Sequence, residues 1–255
     1  MAHPDAIPVV EVFGPTIQGE GAMIGKLTFF VRTAGCDYRC THCDSMFAVD
    51  ATVKKGSAKI MSAEEVVDAI LLLQRQAATN VKWVTLSGGN PALCNFEKVI
   101  VALHGLGYKV AIETQGSVWR DWMGLCDQIT ISPKGPGMGI SCGLEDLRKT
   151  MKEMHNLLGH DWIMSHAVFK IPVFTRRDLY FAQQIHDLWY IPMYLSVGNL
   201  KPDMNTHGHQ IEELRAALLY SLEEIFEDIK LFPGLQNCIL LPQLHVLIWG
   251  NKQGV

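Results

Sequence analysis

The 255-residue sequence predicts an α/β protein, an open, partial (β/α)6-type barrel with additional strands. Three features predict it. Short runs rich in β-branched and aromatic residues recur along the chain, amphipathic segments separate them, and the residues just after each run are mostly polar or glycine. Strands that alternate with helices make parallel sheets through right-handed crossovers. Seven such runs are one fewer than a closed eightfold barrel requires, so the barrel should stay open.

In chain order, Val9–Phe13 reads as an extra edge strand ahead of the series. The series is Thr28–Arg32, Lys82–Leu86, Lys109–Glu113, Gln128–Ile131, Ala167–Val173, Met193–Val197 and Asn237–Leu241. Ser62 and Glu65 form a capping box ahead of the apolar positions Val66, Ile70 and Leu73, which predicts a helix. Asn95 caps a second helix that ends near Gly105 and Gly107. Leu144–Leu157, Arg177–Leu188 and Glu212–Phe226 supply three more. Phe47–Lys59, Gly135–Gly143 and Asn199–His209 lack periodicity and read as loops within one domain spanning residues 1–255.

A hydrophobic content of 48% is enough for a substantial core. The formal charge of -4, with no basic block, argues against nucleic-acid or membrane partners and for a small molecule. Residues 1–8 lack the basic start and apolar run of a secretion signal, and no stretch is long enough to span a bilayer, so a cytoplasmic protein is expected. Three of the seven cysteines fall within eight residues, which fits metal-binding thiolates rather than disulfides. Cys94, Cys126, Cys142 and Cys238 are scattered and read as small apolar residues.

Ligands of such folds sit at the carboxyl ends of the strands. Those ends carry the cysteine loop, Ser87-Gly88-Gly89-Asn90, Glu113-Thr114-Gln115, Ser132-Pro133-Lys134, Gly198-Asn199 and Gln243-Leu244-His245. Cys36, Cys40 and Cys43, spaced C-x3-C-x2-C, can ligate three irons of a cubane and leave the fourth open. Zinc held by these cysteines and His42 is the competing reading, although His42 directly precedes Cys43 and would need an awkward turn to share the metal.

The segment Cys36-Asp37-Tyr38-Arg39-Cys40-Thr41-His42-Cys43 resembles the signature of the radical S-adenosylmethionine superfamily. The resemblance implies a [4Fe-4S] cluster on the three cysteines, with S-adenosylmethionine on the open iron. One-electron reduction then releases a 5'-deoxyadenosyl radical, the reactive group. Gly88-Gly89-Asn90 stands where the family has Gly-Gly-Glu, so the contact to the cosubstrate loses a charge. Ser132-Pro133-Lys134 resembles another part of the cosubstrate site, and the resemblance extends that site to His42, Asp44, Glu113, Gly198 and Asn199.

Phe13-Gly14-Pro15-Thr16-Ile17-Gln18-Gly19-Glu20-Gly21, Val31–Cys36, Cys43-Asp44-Ser45, Glu113-Thr114-Gln115-Gly116 and Leu241–His245 resemble, more narrowly, the 7-carboxy-7-deazaguanine synthase family. That implies ring contraction of 6-carboxy-5,6,7,8-tetrahydropterin to 7-carboxy-7-deazaguanine with loss of ammonia, on the route to queuosine. It further implies Mg2+ with Ser45 as an oxygen ligand, a homodimer, and a one-electron donor such as flavodoxin. Substrate contacts are expected from Thr16, Ile17, Gln18, Glu20, Arg32, Ser87, Gln243 and His245, with the Arg32 fork on the carboxylate. A glycyl-radical activase acting on a partner protein and a zinc-stabilised binding module are the alternatives.

Overall fold

The computed structural model describes residues 6–52, 55–140, 144–202 and 209–255. Its first strand, β1 (Ile7–Ile17), runs antiparallel to β2 (Leu27–Thr33). The cysteine loop follows, then a short helix α1 (Met46–Val49), strand β3 (Lys59–Met61) and helix α2 (Ala63–Gln76). Strand β4 (Trp83–Gly88), helix α3 (Glu97–Gly105), β5 (Lys109–Thr114) and β6 (Gln128–Ile131) continue the alternation. After them come α4 (Leu144–Leu158), α5 (His160–His166), β7 (Ala167–Val173), α6 (Arg176–Trp189), β8 (Met193–Val197), α7 (His209–Ile229), β9 (Ile239–Leu241) and α8 (Leu244–Trp249).

The strands form one open nine-stranded sheet in the order β3-β1-β2-β4-β5-β6-β7-β8-β9. From β2 to β9 every pairing is parallel. Three strands fall on their predicted bounds, Gln128–Ile131, Ala167–Val173 and Met193–Val197. The N-terminal strand differs from expectation. It is longer than Val9–Phe13 and is not the edge, because β3 pairs along Ile7 to Val9 and covers it. β3 and α1 lie in and beside a segment read as loop, and three or four residues are too few to show a period. The predicted Ser62–Glu65 capping box is present, with Glu65 Oε2 accepting from Ser62 N at 2.6 Å. Asn95 Oδ1 accepts from Glu97 N at 3.0 Å, so it serves the start of α3. Cys142 and parts of the three predicted loops lie outside the described residues.

Alternation along the strands separates two environments. One set, including Phe29, Val31, Leu86, Ile112, Ile129, Phe169, Ile171 and Leu195, faces the helices and makes the core, each at most 1% exposed. The other set faces inward and is more polar. Thr28 and Thr85 meet there through their hydroxyls at 2.9 Å, and Arg32, Ser87, Glu113 and Lys170 lie further along the same face.

Where β2 and β4 end, their backbones nearly touch. Gly89 N donates to Thr33 O at 3.0 Å and Asn90 N to Gly35 O at 2.9 Å. A Cβ on Gly89 would overlap the Gly35 carbonyl oxygen, and one on Gly88 would overlap the Thr33 backbone. Gly89→Ala is therefore expected to destabilise the protein by about 2 to 4 kcal/mol, since backbone cannot move aside as a side-chain tip can. Gly105→Ala, which meets open space at the end of α3, should stay within about 1 kcal/mol of the parent. Chemical unfolding midpoints of the two variants check this, and equal midpoints would show that the β2–β4 crossing tolerates a side chain.

Candidate active site

The strand ends open into one cavity of about 420 Å3, within the range of small-molecule sites. All but three of the positions predicted from sequence wall it. Thr16 lies in the β1–β2 ladder opposite Thr28. Asn90 is fully buried outside the cavity wall, donating to Asp37 Oδ1 (2.9 Å) and Ser117 Oγ (3.2 Å) while accepting from Ala92 N and Thr114 Oγ1. Its amide braces the cysteine loop from behind that wall. Pro133 also turns away from the cavity, between two residues that line it.

The cysteine loop is clamped from three sides. Asn90 N reaches Gly35 O, Gly35 N donates to Ala48 O of α1 at 2.9 Å, and Thr41 N donates to Met138 O at 2.9 Å. Cys36, Cys40 and Cys43 all line the cavity. Tyr38 N (3.4 Å) and Gln115 Nε2 (3.6 Å) donate to the Cys36 sulfur. Burial, followed by the Asp44 charge, pushes the Cys43 thiol up to about 12, and burial also raises Cys36. These groups become thiolates only when a metal displaces their protons. Among the described residues no three His, Cys, Asp or Glu groups converge closely enough to hold a single ion. His42 instead lies against the Phe174 ring, 5.0 Å between centroids. Three thiols lining one cavity fit a cluster held by three cysteines with one iron left open. Cys94, Cys126 and Cys238 lie outside the cavity wall.

Beside the loop stands Arg32. It faces Glu11 in the β1–β2 register, and Nε donates to Glu11 Oε1 at 2.7 Å. The guanidinium lies between the Phe13 and Phe47 rings, 5.3 and 5.2 Å from their centroids. Nη1 donates to Ser45 Oγ at 3.1 Å, and that hydroxyl donates to Asp44 Oδ1 at 2.9 Å. Arg32 is thus a held, half-buried cation rather than a solvated strand end.

Across the cavity is a charged frame that sequence reasoning only half anticipated. Lys170 Nζ contacts Glu20 Oε2 at 2.8 Å and Glu113 Oε1 at 3.9 Å. Gln18 Nε2 donates to Glu113 Oε1 (3.1 Å), and Gln243 Nε2 to Glu20 Oε1 (3.1 Å). Burial raises the Glu20 carboxyl, but Lys170 and then His245 outweigh it and hold it below the usual range. Burial likewise opposes the Lys170 ammonium, which Glu113 and Glu20 keep firmly charged. Leu244 N donates to Gly19 O at 2.9 Å, and His245 packs so closely on Gly19 that a Cβ there would overlap its ring. The C-terminal helix and the Gln18 turn are thereby joined.

Lys134 Nζ donates to Ser132 Oγ at 2.8 Å. Burial and then the Lys170 charge lower its pKa. Asn199 is tied to the C-terminal tail through Asn251 Oδ1 at 2.7 Å. Among the described residues, two buried cavity-wall atoms lack hydrogen-bond partners, Ser196 Oγ and Gln243 Oε1. Buried polar atoms are rarely left so, and a polar ligand would satisfy them. Lys170, Glu11 and Ser196 were not anticipated as site residues. A lysine inside the apolar run Ala167–Val173 was the available signal, because a buried lysine needs an acid.

The family model for the radical SAM superfamily matches residues 30–157. The 7-carboxy-7-deazaguanine synthase of Bacillus subtilis (strain 168) is 42% identical over 252 residues, covering 98% of each chain. That of Bacillus cereus is 39% identical over 251 residues, with 98% of this chain and 99% of its own covered. The crystal structure of QueE from Escherichia coli superposes with a TM-score of 0.61 at 18% identity, over 94% of this chain and 95% of that one, a likeness of fold. With the cysteine signature on its clamped loop and relatives matched end to end, the chain belongs to the radical SAM superfamily and, within it, to the 7-carboxy-7-deazaguanine synthase family.

Proposed function

We propose that this chain converts 6-carboxy-5,6,7,8-tetrahydropterin to 7-carboxy-7-deazaguanine with release of ammonia. The observation that carries the reading is the shared cavity, in which three thiols, a held arginine and an amide–carboxylate frame face one another, in a chain matched over nearly its whole length by synthases of that name. Cys36, Cys40 and Cys43 would hold a [4Fe-4S] cluster. With S-adenosylmethionine, that cluster supplies a carbon radical able to take a hydrogen atom from the substrate.

The chain's own part is to bind, orient and exclude water. Arg32, braced by Glu11, offers its remaining N–H groups to the substrate carboxylate. Gln18, Glu113, Glu20 and Gln243 form the opposite wall, where the donors and acceptors of a flat pterin would be met. Lys134, Ser132 and the orphaned Ser196 hydroxyl give polar contacts suited to the cosubstrate. A partner-protein substrate would need none of this enclosure, so the activase alternative loses ground.

For Mg2+, Asp44 and Ser45 supply two hard oxygens 2.9 Å apart, but the Arg32 guanidinium on the same hydroxyl opposes a cation there. These residues do not by themselves form a resident site, and the other ligands would have to come from substrate and water. No helix among the described residues is long and apolar enough to cross a membrane. A single catalytic domain, a cytoplasmic location, a homodimer and a flavodoxin-like electron donor complete the proposal.

Anaerobic incubation of the reconstituted enzyme with 6-carboxytetrahydropterin, S-adenosylmethionine and a reductant should give 7-carboxy-7-deazaguanine by mass. Intact substrate beside full cluster loading would overturn the reading. Arg32→Ala should weaken substrate use by about tenfold or more, and Arg32→Lys should fail to restore it, because a point charge lacks the fork. Parent-like kcat/KM in both variants would remove Arg32 from the substrate site. Ser45→Ala should raise the Mg2+ concentration needed for half-maximal rate; an unchanged titration would leave that hydroxyl serving only Arg32 and Asp44.

A further inference from the structure

Lys170 sits at the centre of β7, where its neighbours Phe169 and Ile171 face the helices and are fully buried. Its own side chain points the other way, into the cavity, and is 8% exposed. There it bridges two acids that arrive from distant parts of the chain, Glu20 after β1 and Glu113 within β5. Apolar residues in place of all three groups would fill the same space without ions to desolvate, and buried ion pairs replaced whole in that way are often no less stable. Stability alone therefore gives no reason for a lysine here.

One ammonium shared by two carboxylates leaves the frame with a net negative charge. Among the described residues Glu113 Oε2 accepts no hydrogen bond, and the buried Gln243 Oε1 has no partner either. Without the ammonium, the two acids would have to move apart or one would take up a proton. Either change would remove an acceptor from the cavity wall.

The geometry points to Lys170 as a positioning residue: by bridging Glu20 and Glu113 it fixes an acceptor-rich wall that reads the donor edge of a flat aminopyrimidinone ring, while Arg32 reads the carboxylate at the other end. This inference rests on the pterin reading above. Lys170 touches no reacting atom in this account, and its effect passes through the two acids and their glutamine partners.

Equilibrium dialysis of the reconstituted enzyme with 6-carboxypterin and with unsubstituted pterin separates the two ends of the ligand. Lys170→Met should weaken both ligands by a similar factor of about ten or more, and Lys170→Arg should return both to within about threefold of the parent. Arg32→Ala should weaken only the carboxylated ligand. Iron content is matched to the parent, binding is read well below each variant's unfolding transition, and Lys170→Gln takes the place of the methionine variant if that protein does not fold. Unchanged binding in the neutral variant, a loss confined to 6-carboxypterin, or a loss that arginine does not recover would each overturn the assignment. Failure of the fully loaded parent to bind either compound would instead dismiss the pterin reading itself.

Discussion

The mouth of the barrel depends on one backbone contact, the passage of Gly88 and Gly89 beneath Thr33 and Gly35. Only residues without a Cβ let the ends of β2 and β4 approach so closely. That approach lets Asn90 N reach the Gly35 carbonyl and lets the Asn90 amide hold Asp37, inside the cysteine loop. The loop is then closed by α1 and by Met138, so three thiols emerge from a rigid support rather than a free turn. A site with fixed ligands loses less order on binding, which is what a cluster with one open iron requires.

Opposite that support the cavity is organised by charge. The two sides repeat one principle, a cation held by an acid so that its remaining capacity faces inward. Arg32 is fixed by Glu11 and by two aromatic rings, and Lys170 by Glu20 and Glu113. In low-dielectric surroundings such pairs are costly to form and costlier to break. Their placement at both ends of one cavity suits a ligand with a carboxylate at one end and ring donors at the other. Polar groups that look dispersed in sequence, from Arg32 to His245, become one surface because parallel strands bring all their carboxyl ends to the same side.

Much of this was legible in the sequence, for specific reasons. Strands such as Gln128–Ile131 and Met193–Val197 carry dense β-branched and aliphatic runs, and the Ser62–Glu65 box fixes the start of its helix. The cysteine spacing marks its own chemistry. Other features depend on distance in space. The Glu11–Arg32 pair needs a register interrupted by irregularities between Val9 and Glu11 and between Phe13 and Thr16. Lys170 announces itself as a charge in an apolar strand, but its partner Glu20 lies 150 residues away. Asn90 matches its motif position and yet turns inward to brace the loop, a role set by neighbours that no motif records. Helix α5 is separated from α4 only by Gly159, whose positive φ breaks the helix where composition shows little change.

The central claim is that the clamped loop holds a cluster on three thiolates, and the most direct measurement is iron and acid-labile sulfide per chain after anaerobic reconstitution, for the parent, Cys40→Ala and Cys126→Ala. The account predicts about four irons and as many sulfides for the parent and for Cys126→Ala, with a sharp loss in Cys40→Ala. Full iron in Cys40→Ala, or a single zinc per chain in the parent, would contradict it.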